Sequence, residues 1–225
     1  MLKNKYQIAV ISLLVTFLIA IRLFEEAIFY DPFLDFFKTD FQNKALPNYD
    51  GLKLFSSLFT RYFLNAIIPV AEEAGVTLAA HPDDPPLPFL KQTPRLIYQP
   101  ELYQKLLDLY PSKSNQLEYC LGTLSEMTEG DIYEATNQYS KQGKIGYIHF
   151  RNVMGKAPNY KEVFVDEGDV DMIRILKILK KNNFKGVLIP DHTPQMNCDA
   201  PWYAGMAYAM GYMKAALKLI DTDEI

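Results

Sequence analysis

What this 225-residue sequence has little of narrows it first. It has no basic excess: 23 lysines and arginines face 27 aspartates and glutamates, a formal charge of −4. Nucleic-acid binders normally carry a basic surplus, so the balance argues against a nucleic-acid partner. It has two cysteines, Cys120 and Cys198, too few for a disulfide framework. Polar residues do not dominate: at 49% apolar, the chain is too hydrophobic to stay disordered. Glycine and histidine are scarce in one place. The first 60 residues hold one of the 11 glycines, no histidine, and 12 of the 30 aromatics. That break divides the chain into residues 1–61 and 62–225.

In the first segment, Lys3 and Lys5 precede an apolar run from Ile8 to Ile21, interrupted by Ser12 and Thr16. Counted from Tyr6 to Leu23, the run approaches the ~20 residues that a membrane span needs. Arg22 can snorkel to the interface. No small-x-small cleavage site follows, which disfavours a secretory signal. A buried helix of a soluble core is the other reading. The expectation is an uncleaved membrane anchor over residues 6–23, hence a membrane-anchored localisation. The acidic and aromatic stretch from Glu25 to Phe37 suits a membrane–water interface. The stretches RLFEEAIFYDPFLDFF and LPNYDGLKLF resemble small membrane proteins associated with the exosortase F system. That resemblance implies a second span near Leu52–Ile68, which Pro69-Val70-Ala71-Glu72-Glu73 cuts short.

From about Tyr62 onward, short apolar runs alternate with helical periodicity. Strands are expected near residues 76–80, 117–121, 144–150 and 186–190. Helices are expected near 100–110, 130–141, 169–182 and 204–220. Alternating strands and helices predict an α/β fold with a parallel sheet, open or closed into a barrel.

The reactive residues fall at equivalent places. His81, Cys120, His149 and Asp191 each lie at or near the C-terminal end of an expected strand. They are 39, 29 and 42 residues apart, about one strand–helix unit each. In a (β/α)₈ barrel those ends converge on the active site. Two imidazoles, a thiolate and a carboxylate meeting there suit a first-row divalent metal such as Mn²⁺, Fe²⁺ or Zn²⁺. Each residue also has an ordinary reading. A lone strand cysteine is usually a small buried hydrophobe. His81 could cap a turn, His149 could be a satisfied core histidine, and Asp191-His192 could be a turn. Cys198, in a polar loop, reads as structural.

At these residues the sequence resembles mannonate dehydratase. The matching stretches are IPVAEEAGVTLAAHPDDPP, YCLGTLSEM, YIHFRNVMG, EVFVDEGDVDM, GVLIPDHTPQM and AYAMGYMKA, in that order over about residues 62–220. The resemblance implies a (β/α)₈ barrel that dehydrates D-mannonate to 2-dehydro-3-deoxy-D-gluconate in hexuronate catabolism, with Mn²⁺ or Fe²⁺. It implies His81, Cys120, His149 and Asp191 as metal ligands. It further implies His192 as catalytic acid/base, Tyr203 as a second catalytic residue, and Arg151 and Asn152 as substrate-binding.

A barrel of this kind takes ~250 residues, and residues 62–225 supply only its later strands. The expected fold is therefore the incomplete C-terminal part of a (β/α)₈ barrel behind a membrane-anchor helix. Two functions follow from that reading. One is a metal-dependent sugar-acid lyase. The alternative is an inactive membrane-tethered chimera of an exosortase-associated protein with half a barrel. The exposed edges of half a barrel predict aggregation or a homo-oligomer.

Overall fold

The computed structural model describes residues 49–91 and 93–222. Helix α1 (Tyr49–Ala74) leads to β1 (Leu78–Ala80), and β2 (Phe89–Leu90) with β3 (Thr93–Pro94) forms a short hairpin. Next come α2 (Leu102–Leu109), β4 (Asn115–Cys120), α3 (Leu121–Glu126), α4 (Ile132–Lys141) and β5 (Ile145–His149). A second hairpin, β6 (Asn152–Lys156) with β7 (Asn159–Val163), precedes α5 (Met172–Lys181), β8 (Val187–Ile189) and α6 (Pro201–Thr222).

Four strands form one parallel sheet in the order β1-β4-β5-β8. This is the α/β fold with a parallel sheet that the strand–helix alternation predicts. The alternation of side chains along each strand sorts the two faces. On β4, Leu117 and Tyr119 are wholly buried on the helix-covered face. Tyr119 stacks 5.9 Å from Tyr103 of α2 and lies 6.4 Å from Tyr139 of α4, centroid to centroid. The intervening residues line up across the other face. Glu118, Tyr147 and Val187 are register partners in one row; Cys120, His149 and Ile189 form the next.

Local chemistry sets the helices. Asp131 Oδ1 accepts the N–H groups of Tyr133 and Glu134 at 2.7 and 2.9 Å and so starts α4. Asp171 does the same for α5 through the Arg174 N–H at 3.0 Å. Lys180 and Lys181 sit in the last turn of α5, where the helix dipole favours cations. Its stripe of Met172, Ile175, Leu176 and Leu179 is buried at helical spacing.

Helix α1 departs from expectation. Pro69 was read as the end of an apolar run, yet the helix continues to Ala74. Leu64, Ile68 and Ala71 recur at i, i+4 and i+7 and are buried, which outweighs the backbone bond that proline removes. The anchor expected at residues 6–23 lies outside the described residues. Among the described residues, no helix is long and apolar enough to cross a membrane.

Candidate metal centre and its carboxylate network

Parallel strands deliver their C-terminal ends to one edge of the sheet. Cys120 ends β4, His149 ends β5, and His81 follows β1 directly. Each of these three residues offers one ligand atom, and the three atoms lie within 4.8 Å of one another. Metal–ligand bonds of ~2.0–2.3 Å allow three atoms so placed to share one ion.

The second nitrogen of each imidazole is committed. Pro82 O can only accept, so the 2.6 Å contact to His81 Nδ1 puts a proton there and leaves Nε2 as the nitrogen that can ligate once it is deprotonated. His149 Nε2 lies 3.0 Å from Glu118 Oε1. Its Nδ1 is buried with no hydrogen-bond partner, 3.4 Å from Asp191 Oδ2. A histidine with one nitrogen on a carboxylate and the other left open is the usual arrangement of a metal ligand. Burial alone would raise the Cys120 thiol. The neighbouring imidazoles of His149 and His81, and the charge of Arg151, instead lower it to about 5. At neutral pH the sulfur is therefore a thiolate, the ligating form. Burial pulls His81 down, but Cys120 beside it is the main influence that carries it up to about 9; His149 is also raised, chiefly by Cys120. The mutual shifts express one fact: a negative sulfur sits between two imidazoles. The donor set and the open nitrogen fit a divalent cation.

Asp191 joins this triad from the side. Its backbone is left-handed, with φ of 64°. Its Oδ2 lies 3.4 Å from His149 Nδ1, 3.2 Å from His192 Nε2 and 3.1 Å from Arg151 Nε. Arg151 is the hub of a second cluster. It is 3% exposed, with Nη2 at 2.8 Å from Asp84 Oδ2 and Nη1 at 2.7 Å from Glu162 Oε1 and 3.3 Å from Glu126 Oε1. Nη2 also donates to Thr123 Oγ1 at 3.0 Å. Gly122 makes room for it: a Cβ there would lie 2.3 Å from Nη1. Glu126 is fully buried and its Oε2 has no partner. Burial, then the Asp84 charge, lift its carboxyl to about 7 despite Arg151. Glu162 is raised too, by burial. Its Oε2 lies 3.7 Å from His192 Nδ1, so the half-exposed ring of His192 stands between Glu162 and Asp191.

The structure thus brings His81, Cys120 and His149 together, with Asp191, His192 and Arg151 beside them. Asn152 sits elsewhere. Its amide donates to Val165 O and Val170 O at 3.0 and 2.9 Å, and its Oδ1 accepts the Val170 N–H at 3.2 Å. Tyr203 is 77% exposed in the first turn of α6. Sequence reasoning missed Glu118, Asp84, Glu126 and Glu162. Glu118 was readable, since it lies two residues before Cys120 on the same strand face. Glu162 was not, because the hairpin that carries it was unforeseen.

A family model described as D-mannonate dehydratase (UxuA) matches residues 31–221. A mannonate dehydratase of Streptococcus pneumoniae is 38% identical over 133 residues, covering 58% of this chain and 36% of that protein. The crystal structure of mannonate dehydratase from Streptococcus suis superposes with a TM-score of 0.63 at 32% identity, over 71% of this chain and 48% of that one. A D-tagatose 3-epimerase-like protein shares the fold at 17% identity, with a TM-score of 0.55. The chain spans about a third to a half of the length of these mannonate dehydratases. The match also corrects the membrane-anchored localisation. It begins at residue 31, inside the stretch assigned to a membrane interface, and no described helix can cross a bilayer. The exosortase-associated likeness rested on the basic start, the first apolar run and the two stretches named above, and the family match shows neither it nor a membrane partner.

Proposed function

The chain belongs to the D-mannonate dehydratase (UxuA) family, and we propose that its site carries out metal-dependent dehydration of D-mannonate to 2-dehydro-3-deoxy-D-gluconate. Residues 62–225 are read as the partial barrel that holds the chemistry. The observation that carries the reading is the His81–Cys120–His149 triad, its ligand atoms within 4.8 Å and His149 Nδ1 without a partner. These three, with Asp191, would hold Mn²⁺ or Fe²⁺. When bound, such an ion supplies positive charge where the substrate carboxylate becomes negative.

The remaining work falls to the protein. The proton to be removed is on C2, next to the carboxylate. His192 is the base that takes it, in a ring whose two nitrogens face Glu162 and Asp191 at 3.7 and 3.2 Å. The C3–O bond breaks, the hydroxyl leaves with a proton as water, and the resulting enol becomes the 2-keto acid. Tyr203, at the exposed start of α6, is the candidate donor of that proton. Arg151 was expected to grip the substrate carboxylate. With its guanidinium shared among Asp84, Glu126, Glu162 and Asp191, it is better read as the group that positions Asp191 and Glu162. Asn152 is read as a brace of the hairpin rather than a substrate contact.

The test is 2-keto acid formation by the purified chain from D-mannonate with Mn²⁺. The expected result is turnover that requires the metal and disappears in His192→Ala. Binding of Mn²⁺ without any turnover would refute the assignment and favour the inactive chimera.

A further inference from the structure

We propose that Thr123 sets which metal the site prefers. Its hydroxyl donates to the Cys120 sulfur and weakens that thiolate as a donor, which costs soft ions such as Zn²⁺ more than harder ones such as Mn²⁺. The inference rests on the ligand set proposed above and is independent of the reaction. Both side chains are wholly buried. Thr123 Oγ1 lies 3.2 Å from Cys120 Sγ, and the Thr123 N–H donates to the same sulfur at 3.5 Å. The hydroxyl has one proton and a second acceptor in reach, Asp84 Oδ2 at 3.0 Å. Arg151 decides between the two. Its Nη2 donates to Thr123 Oγ1 at 3.0 Å, so the hydroxyl proton must point away from the guanidinium. The same Nη2 donates to Asp84 Oδ2 at 2.8 Å, so that oxygen already has a donor. The proton is worth more on the buried, anionic sulfur, because a buried charge short of donors is the costlier one to leave.

The two imidazoles beside the sulfur cannot replace Thr123 once an ion is bound. A ligating nitrogen gives its lone pair to the metal and carries no proton toward the sulfur. Thr123 keeps both of its donors there. Hydrogen bonds draw electron density off a ligating sulfur, one of the ways in which a protein tunes a metal–thiolate site. A less electron-rich thiolate bonds less covalently, and Zn²⁺ depends on that covalency more than Mn²⁺ does. Competition from protons for the thiolate weakens both ions alike, so it cancels in the ratio of their affinities.

Calorimetric titration of the purified full chain with Zn²⁺ and with Mn²⁺ measures that ratio. In Thr123→Val the preference for Zn²⁺ over Mn²⁺ should rise by about tenfold, the lower end of what the outer partners of metal ligands control. Thr123→Ala should do the same without a new methyl beside Arg151, and Thr123→Ser should keep the parent ratio. Co²⁺ gives a direct reading of the sulfur. Its near-ultraviolet sulfur-to-cobalt charge-transfer band should move to longer wavelength in the valine and alanine variants and stay in place in the serine one. A ratio and a band unchanged in both variants that lack the hydroxyl would overturn the inference and put the proton on Asp84. The same shifts in Thr123→Ser would overturn it as well, since packing rather than the hydroxyl would then be the cause. A parent chain that binds Co²⁺ without this band, or does not bind it, would instead refute the ligand set, and the inference with it.

Discussion

Replacing Glu126 by glutamine should change how stability responds to pH rather than simply lower it. The carboxyl is fully buried, with Oε1 3.3 Å from Arg151 Nη1 and Oε2 unpartnered. Burial and the Asp84 charge carry it from 4.5 to about 7 in the folded chain. Below pH 4.5 both states hold the proton, and its stabilising effect is fully present. Between 4.5 and about 7 the unfolded chain releases the proton and the folded chain keeps it. Stability then falls by about 1.4 kcal/mol per pH unit, roughly 3 kcal/mol across the whole window. Above that the loss is complete and constant. Glutamine keeps the shape and an acceptor for Arg151 but cannot ionise. Relative to the parent, Glu126→Gln should therefore gain roughly 2 kcal/mol between about pH 5.5 and pH 8. Urea midpoints at the two pH values, with chelator present and equal slopes, measure this directly. A variant weakened by the same amount at both pH values would refute the reasoning. It would mean that Glu126 is ionised and paired with Arg151 throughout.

Three further outcomes follow from the same contacts. Cys120→Ser should weaken Zn²⁺ binding more than Mg²⁺ binding in calorimetric titration, because the thiolate is the soft donor; equal losses would remove it from the ligand set. Asn152→Ala strips the bonds to Val165 O, Val170 O and the Val170 N–H. It should cost about 2–4 kcal/mol by urea unfolding while leaving metal affinity unchanged. Gly122→Ala pushes a methyl against the Arg151 guanidinium. A loss of about 1–3 kcal/mol is expected, and no loss would show that Arg151 has room to move.

The sheet was legible because its strands are short apolar runs closed by reactive residues, as in Gly186-Val187-Leu188-Ile189-Pro190 before Asp191. The triad was legible for the same reason: parallel strands bring their ends together whatever lies between them. The Arg151 cluster was not. Its carboxylates at 84, 126, 162 and 191 are scattered along the sequence, and only the packed fold shows that they exclude water from the arginine. Helix α1 was misread because Pro69 and the Glu72-Glu73 pair look like an ending, while Leu64, Ile68 and Ala71 on one side hold it together. The membrane reading failed because hydropathy and aromatic content describe a segment without testing what family it belongs to.

The left-handed backbone at Asp191 sets evolution and engineering at odds. That conformation costs a residue with a Cβ about 1–2 kcal/mol relative to glycine, though aspartate bears it better than most. Asp191→Gly would relieve the strain and also remove a half-buried carboxylate from beside Arg151 and His149. Selection for heat resistance alone would thus drift toward the substitution that empties the site of its carboxylate. Persistence of aspartate there under such selection would mark a position held by chemistry against the interest of the fold.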